Sequence, residues 1–452
     1  MINIVVNKDR INKELAYTIF YLLRKIDDDV EISYEEKQGC INIYYGIEAE
    51  TGIVIPFSEN HNELNFSDYK ESKFCSFEKI DEPYSVFDQK IKFNFDIIFT
   101  SKYFITLQEE YEIQKRDDKE RFLCQFSKRN KYINVPFFDI NAEILYDAIK
   151  IKFPQVKLKE KSPEIMLSHD VDSLNSRDKY VFLHNCKSIL MGKNDSLSKR
   201  IGIMLRDIIK NVHLQIPNYL EIENSYGVKS EFYFIAGYKH RLGKRYELSK
   251  YNDYVKKIHE SRNHKIGIHT NYFSYLDEKE MKREIEEIEN NTHAKVDSCR
   301  NHYLRFKMPE TLECLQKAGV KFDSTVGYSD VNGFRAASTD AFIPFNLSAN
   351  NIVPIYEIPL AVMDGIVMEK NVSFEEKWQE IKVLLDNTIK HNGTASVLWH
   401  QRVILDSEYK DMYKKIIEYC LKQGCNFIFT DDLTKRYLEE REKINTLLEK
   451  IK

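Results

Sequence analysis

The sequence predicts an α/β protein: a barrel of alternating strands and helices, preceded by a smaller α/β region. Three observations carry this expectation. From Glu164 onward, short apolar runs alternate with helical stretches. Several of those runs end in Asp, His or Arg. Residues 1 to 155 have a different texture, rich in Tyr, Phe, Ile and Asn, with no phosphate-cradling glycine loop and no cluster of metal ligands.

With 452 residues and 42% hydrophobic content, the chain can supply a core in each of two or three domains. Its 67 basic and 71 acidic residues leave a formal net charge of −4 and no polycationic stripe, which argues against a dedicated nucleic-acid partner. Met1 to Arg10 lacks the features of a secretory signal, and no run of about 18 apolar residues offers a membrane span, so a cytoplasmic location is expected. Eight scattered cysteines without a C-x-x-C pair read as reduced thiols, and oligomeric state is left open.

Taken in order, the helical spacing of Asn12 to Leu23 predicts an early helix. Alternating runs at Ile41–Tyr45 and Lys92–Phe99 predict strands. The charge run from Arg116 to Phe122 reads as a solvated helix end and loop. A helix is expected from about Ile140 to Lys152, and Phe153 to Pro163, with its two prolines, reads as a linker.

Eight strands are then expected: Glu164–Asp170, Glu231–Ala236, Lys265–His269, Val296–His302, Lys321–Thr325, Ile355–Leu360, Ser396–His400 and Asn426–Phe429. Helices are expected at Asn252–Arg262, Glu278–Asn290, Pro309–Ala318, Phe374–His391 and Ser407–Gln423. This number of units favours a barrel over a short open sheet, giving domains of 1–155 and 164–438 and a helical tail of 439–452.

In parallel barrels the reactive groups gather at strand C-terminal ends. Strand alternation puts Asp170 and Asp172 on one face, and two adjacent carboxylates point to a metal site or an acid/base pair. The plainer alternative is an acidic turn in which Asp172 caps the next segment. His269, Arg300, His302 and His400 end later strands. A lone strand-end histidine is more often structural, but four strand ends carrying such groups together point to metal-assisted hydrolysis.

Ser168-His169-Asp170-Val171-Asp172, Ile266-Gly267-Ile268-His269-Thr270, Arg300-Asn301-His302-Tyr303-Leu304-Arg305-Phe306 and Val397-Leu398-Trp399-His400, in this order, resemble the motifs of NodB-homology polysaccharide deacetylases, carbohydrate esterase family 4. The resemblance spans roughly Glu164 to Leu438. Asp323–Tyr328 and Gly333-Phe334-Arg335 further resemble a divergent subgroup with an extra N-terminal domain of unknown function, to which the stretches around Glu109-Glu110-Tyr111 and Arg121-Phe122 are similar.

The resemblance implies a distorted (β/α) barrel and removal of an acyl group from an N-acetylated saccharide or saccharide precursor through a divalent metal, zinc before any other. It implies Asp170 as general base, Arg300 as the residue orienting it, His400 as general acid, and Asp172 and His269 as metal ligands. The family's second motif has another His four positions after the first, where this chain has Phe273. A catalytic zinc site usually takes three protein ligands, so a third is needed; His302 is the candidate, ahead of His264 and Asn271. Tyr303, Arg305 and Arg335 are candidates for substrate binding, the arginines for a negatively charged sugar. Two other functions stay open: a metal-dependent amidase acting on a small amide or cyclic imide, and a catalytically silent carbohydrate-binding or assembly protein.

Overall fold

The computed structural model describes residues 1–27, 29–58, 81–179, 182–183, 186, 197–211 and 213–451. Its first sheet is built from β1 (Ile2–Val6), β2 (Glu31–Ser33), β3 (Ile41–Tyr45), β4 (Gly52–Ile55), β5 (Tyr84–Val86) and β6 (Lys90–Phe93), in the order β2-β1-β3-β4-β6-β5. All its pairings are parallel except β5 with β6. The early helix runs Lys13–Leu23 and starts where the Asn12 side chain accepts from the Leu15 N–H. Residues 92–99, expected as one strand, divide instead. Lys90–Phe93 pairs in the sheet, and Asp96 caps a new helix, Ile97–Ile105, by accepting from the Phe99 N–H.

The second sheet contains β7 (Glu164–Val171), β8 (Ser230–Ile235), β9 (His264–Thr270), β10 (Ser298–Asn301) and β11 (Phe322–Asp323). After the small hairpin of β12 (Phe345–Asn346) and β13 (Asn351–Ile352) it adds β14 (Tyr356–Glu357), β15 (Leu360–Met363), β16 (Thr394–Leu398) and β17 (Asn426–Phe427). The order is β14-β11-β10-β9-β8-β7-β16-β15, with β17 also against β7, and each pairing is parallel. Two departures from expectation matter. The strand expected at 355–360 is two strands, interrupted at Ile358-Pro359, and these are the two edges of the sheet. At that break Ile358 N–H bonds to the Asp323 carbonyl, and Ser396 N–H bonds to the Pro359 carbonyl. The sheet is therefore curled into a half-barrel whose edges are bridged by two residues. The strand expected at 396–400 lies two residues earlier, so His400 follows the strand end rather than forming it.

Helices Ile216–Tyr226, Asn252–Glu260, Glu278–Thr292, Glu310–Ala318, Phe374–Lys390 and Ser407–Lys422 separate the strands. The expected C-terminal tail is the second half of helix Thr434–Glu449, and Ile444, Leu447 and Leu448 root it in the core. One apolar core runs through both sheets. Polar ties reinforce it: Arg24 bonds to Asp340 and Glu440 at 2.9 Å each, and the Tyr17 hydroxyl donates to the Ile343 carbonyl at 2.8 Å.

Candidate metal centre

The site begins at β7, buried along nearly its whole length. The strand's alternation presents Ser168, Asp170 and Asp172 on one face and His169 and Val171 on the other. His169 is held from behind, with Nδ1 2.7 Å from the Trp399 carbonyl and Nε2 2.7 Å from Glu223. Glu223 also takes hydrogen bonds from His264, Ser230 and Tyr413, so His264 is committed to this buried network and does not reach the Asp170 face. Asn271 is likewise occupied, donating to the carbonyls of Ala236 and Tyr238.

Arg300 lies on β10 with no solvent exposure, and all five of its N–H donors have partners. Nε bonds to the Ser324 carbonyl, Nη1 to Ser168 Oγ and Asp170 Oδ1, and Nη2 to the hydroxyls of Ser324 and Ser396, at 2.9–3.1 Å. A buried charge so fully bonded is rigid, and it fixes the orientation of the Asp170 carboxylate.

Around Asp170 the strand ends bring together Asp172, His269 and His302, whose ligand atoms all lie within 4.8 Å of one another. His269 Nε2 and His302 Nε2 are each 3.6 Å from Asp172 Oδ1, and His269 Nε2 is also 3.6 Å from Asp170 Oδ2. His269 Nδ1 donates to the Arg300 carbonyl at 2.7 Å, which leaves the Nε2 lone pair for a cation. The chain bends sharply just after His302, where Tyr303 and Leu304 both hold positive φ, at 63° and 54°, without being glycine.

The donor set fits a divalent metal. Ligands about 2.0–2.1 Å from a tetrahedral ion stand about 3.3 Å apart, close to the 3.6 Å separations here. Asp172 Oδ1 is buried without a hydrogen-bond partner among the described residues, which is costly unless a ligand satisfies it. Burial acts to raise the Asp172 carboxyl, but His302, His400 and His269 hold it well below its ordinary range. Burial, helped by His269, pushes His302 down to about 3, so its imidazole is neutral, as a ligand must be.

His400 closes another side. Its Nδ1 donates to Asp364 Oδ1 at 2.6 Å and its backbone N–H to Asp364 Oδ2 at 3.1 Å. Burial opposes the charged ring, yet the Asp364 carboxylate, followed by Asp172 and Asp170, lifts His400 to about 9. An imidazolium at neutral pH is therefore poised within the field of the carboxylate pair.

Of the remaining expected residues, Tyr303 borders the cluster, its ring stacked 4.3 Å from that of His302. Arg305 sits nearby but is clamped, with its three nitrogens on the Lys119 carbonyl, the Tyr272 carbonyl and Glu120. Arg335 does not join the cluster; it is buried in a bidentate pair with Glu110 at 2.7 Å. Phe273 points outward at 46% exposure, and its ring continues a ladder from Tyr303 through Tyr272 (5.7 Å) and Phe273 (5.4 Å) to Tyr238 (5.3 Å), itself 64% exposed.

Sequence reasoning missed Asp364, Glu223 and the serine cradle of Arg300. Asp364 was detectable as the first acid after the apolar run Leu360–Met363, had the strand been extended past Leu360. Ser324 and Ser396 carried no signal, because nothing in their local pattern marks a partner 24 or 96 residues away.

A family model described as a family of unknown function (DUF7033) matches residues 4–154. No curated protein matches by sequence. Among solved structures, a protein assigned as a polysaccharide deacetylase from Mycobacterium smegmatis is similar at 13% identity and TM-score 0.44, over 63% of this chain and 93% of that one. An allantoinase is similar at 12% identity and TM-score 0.42, over 62% and 94%. A CE4 family pseudoenzyme from Bacillus anthracis is similar at 13% identity and TM-score 0.32, over 59% and 64%.

Proposed function

We propose that this chain is a metal-dependent hydrolase that removes the acetyl group from an N-acetylated saccharide or saccharide precursor. The observation that carries the reading is the Asp172, His269 and His302 cluster, flanked by an Arg300-held carboxylate and an Asp364-held imidazole. Asp172, His269 and His302 would hold the ion, with zinc the first choice because its donors are nitrogen and carboxylate oxygen. When bound, a divalent ion there supplies Lewis-acid polarisation of the amide carbonyl and lowers the pKa of an attacking water.

Asp170, fixed by Arg300, accepts the proton of the water as its oxygen bonds to the carbonyl carbon. His400, charged at neutral pH, donates a proton to the amide nitrogen as the C–N bond breaks, leaving acetate and a free amine. The aromatic ladder from Tyr303 to Tyr238 supports a saccharide, because its exposed rings offer flat apolar faces that stack on sugar C–H surfaces. In this reading residues 164–438 form the catalytic domain and 1–155 a separate domain packed against it.

The outward-facing Phe273 favours a second reading, a silent carbohydrate-binding protein that has lost its metal. Metal content decides between them. Near-stoichiometric zinc, lost in both His269→Ala and His302→Ala, together with acetate release from N-acetylated sugars, is the expected result. A purified protein that neither holds nor takes up zinc on titration sinks the hydrolase reading.

A further inference from the structure

The connection from β7 to β8 leaves the strand that carries the paired aspartates and has a composition of its own. Between Arg177 and Lys210 it holds eight lysines or arginines against three aspartates, Asp178, Asp195 and Asp207, in a chain whose net charge is −4. Within it, helix Leu197–Lys210 has Leu197, Ile201, Leu205 and Ile209 at four-residue intervals, a spacing that aligns them along one side. Positions 199, 206 and 210, each Lys or Arg, fall on the opposite side by the same geometry.

The apolar side is open to solvent. Its four residues are between 39% and 75% exposed, roughly 400 Å² of surface in all. Among the described residues no helix or strand packs along it. A helix of 14 residues is marginal alone and ordinarily gains its stability by burying such a face, so a face left open here is one that another surface covers. The same connection also exposes Phe182 and Leu183.

The far end of the helix is anchored at the metal centre. Asn211 accepts from the Ser176 N–H at 2.8 Å and donates to the Leu174 carbonyl at 3.2 Å. Gln401, next to His400, donates to the carbonyls of Ser173 and His213 at 2.6 and 2.5 Å and accepts from the Gln215 N–H at 3.0 Å. The helix end is thus tied to the residues that follow Asp172 and His400.

Three properties select the covering surface. At about 1.5 Å per residue the helix is about 21 Å long, short of the roughly 30 Å hydrocarbon of a bilayer, so it is suited to lie on a membrane rather than to cross one. Its open area is about half of the roughly 800 Å² that a stable protein partner takes from each side, whereas the boundary of a lipid leaflet accepts a stripe of this size. Two copies of the chain meeting here would set like charges together, while acidic lipid headgroups complement the basic excess.

We propose that helix Leu197–Lys210 docks on an anionic lipid surface, its apolar stripe in the headgroup boundary, and holds the metal centre next to that surface. The docking does not depend on the hydrolase reading, and its test needs neither metal nor turnover.

The test is sedimentation of the full-length protein with vesicles of phosphatidylcholine alone and of phosphatidylcholine with phosphatidylglycerol at about three to one. Leu205→Ser with Ile209→Ser removes half of the stripe, and Lys199→Gln with Arg206→Gln removes half of the helix's positive charges. Because the stripe is exposed, the first pair should keep Tm within about 2 °C of wild type. The expected result is binding to the anionic vesicles at least about tenfold tighter than to the neutral ones, weakened by salt and about tenfold weaker in each double variant. No binding to either vesicle, equal binding to both, or binding that the double variants leave unchanged overturns the proposal. Dimerisation of the wild type in ultracentrifugation, abolished by Leu205→Ser with Ile209→Ser and without vesicle binding, assigns the stripe to a second copy and overturns it too. A fall in Tm of more than about 5 °C in that variant shows the stripe to be packed in the free protein, with the same consequence.

Discussion

Replacing Asp364 by Asn tests the acid half of the site most directly. The Asp364 carboxylate is 2.6 Å from His400 Nδ1 and is the largest influence raising that ring to about 9. Asparagine keeps a hydrogen-bond acceptor at nearly the same place but removes the charge. Burial then acts with less opposition, and His400 should fall to its ordinary value of 6.5 or below. At pH 8 a group with a pKa of about 9 is about 90% protonated, whereas one at about 6.5 is about 3% protonated. The expected loss in rate at pH 8 is therefore about 30-fold, while at pH 5.5 the variant and wild type differ by only a few-fold. The assay is the pH dependence of kcat at matched metal occupancy, where the basic limb moves downward by about two units or more. Histidine NMR titration of His400 gives the same shift without turnover. An unchanged basic limb in Asp364→Asn would refute His400 as the acid tuned by Asp364.

Asp170→Asn should retain metal and lose at least about a thousandfold in kcat, combining loss of the base with loss of its fixed charge, as read by metal analysis beside acetate release. Arg300→Met leaves Asp170 buried without its partner and takes the guanidinium donors away from three hydroxyls; unfolding in urea should show a loss of about 3–5 kcal/mol, and a loss under about 1 kcal/mol would mean the cradle is not rigid. Burial raises Glu284 from 4.5 to about 8, so between those values the folded protein keeps a proton that the unfolded chain has lost. Stability is then full below about pH 4.5 and declines toward pH 8 by up to about 1.4 kcal/mol per pH unit. Glu284→Gln, which retains an acceptor for the Asn271 N–H and Ser274 hydroxyl, should remove that slope from Tm measured between pH 5 and 8.

What the sequence determined by itself was which polar residues lie at or just past the ends of strands. Apolar runs closed by Asp, His or Arg are a local pattern, and strand alternation is a local rule, so Asp170 and Asp172 were assignable to one face without knowing the fold. The same locality explains the errors. Pro359 breaks what reads as one apolar run, and only the curl of the sheet reveals that the two halves are opposite edges joined across the gap. Tertiary structure alone decided which charged groups are available. Arg305 and Arg335 look alike in sequence to Arg245 and Arg402, yet the first two are bonded to Glu120 and Glu110, while among the described residues the latter two pair with no carboxylate. Those pairings link residues about two hundred positions apart, and charge compensation at such separations depends on where the chain returns in space. His302 belongs to both accounts: its place just past a strand end was legible, but only the tertiary structure brings its Nε2 within 3.6 Å of Asp172 Oδ1, at the end of β7, with β8 and β9 lying between the two strands in the sheet order.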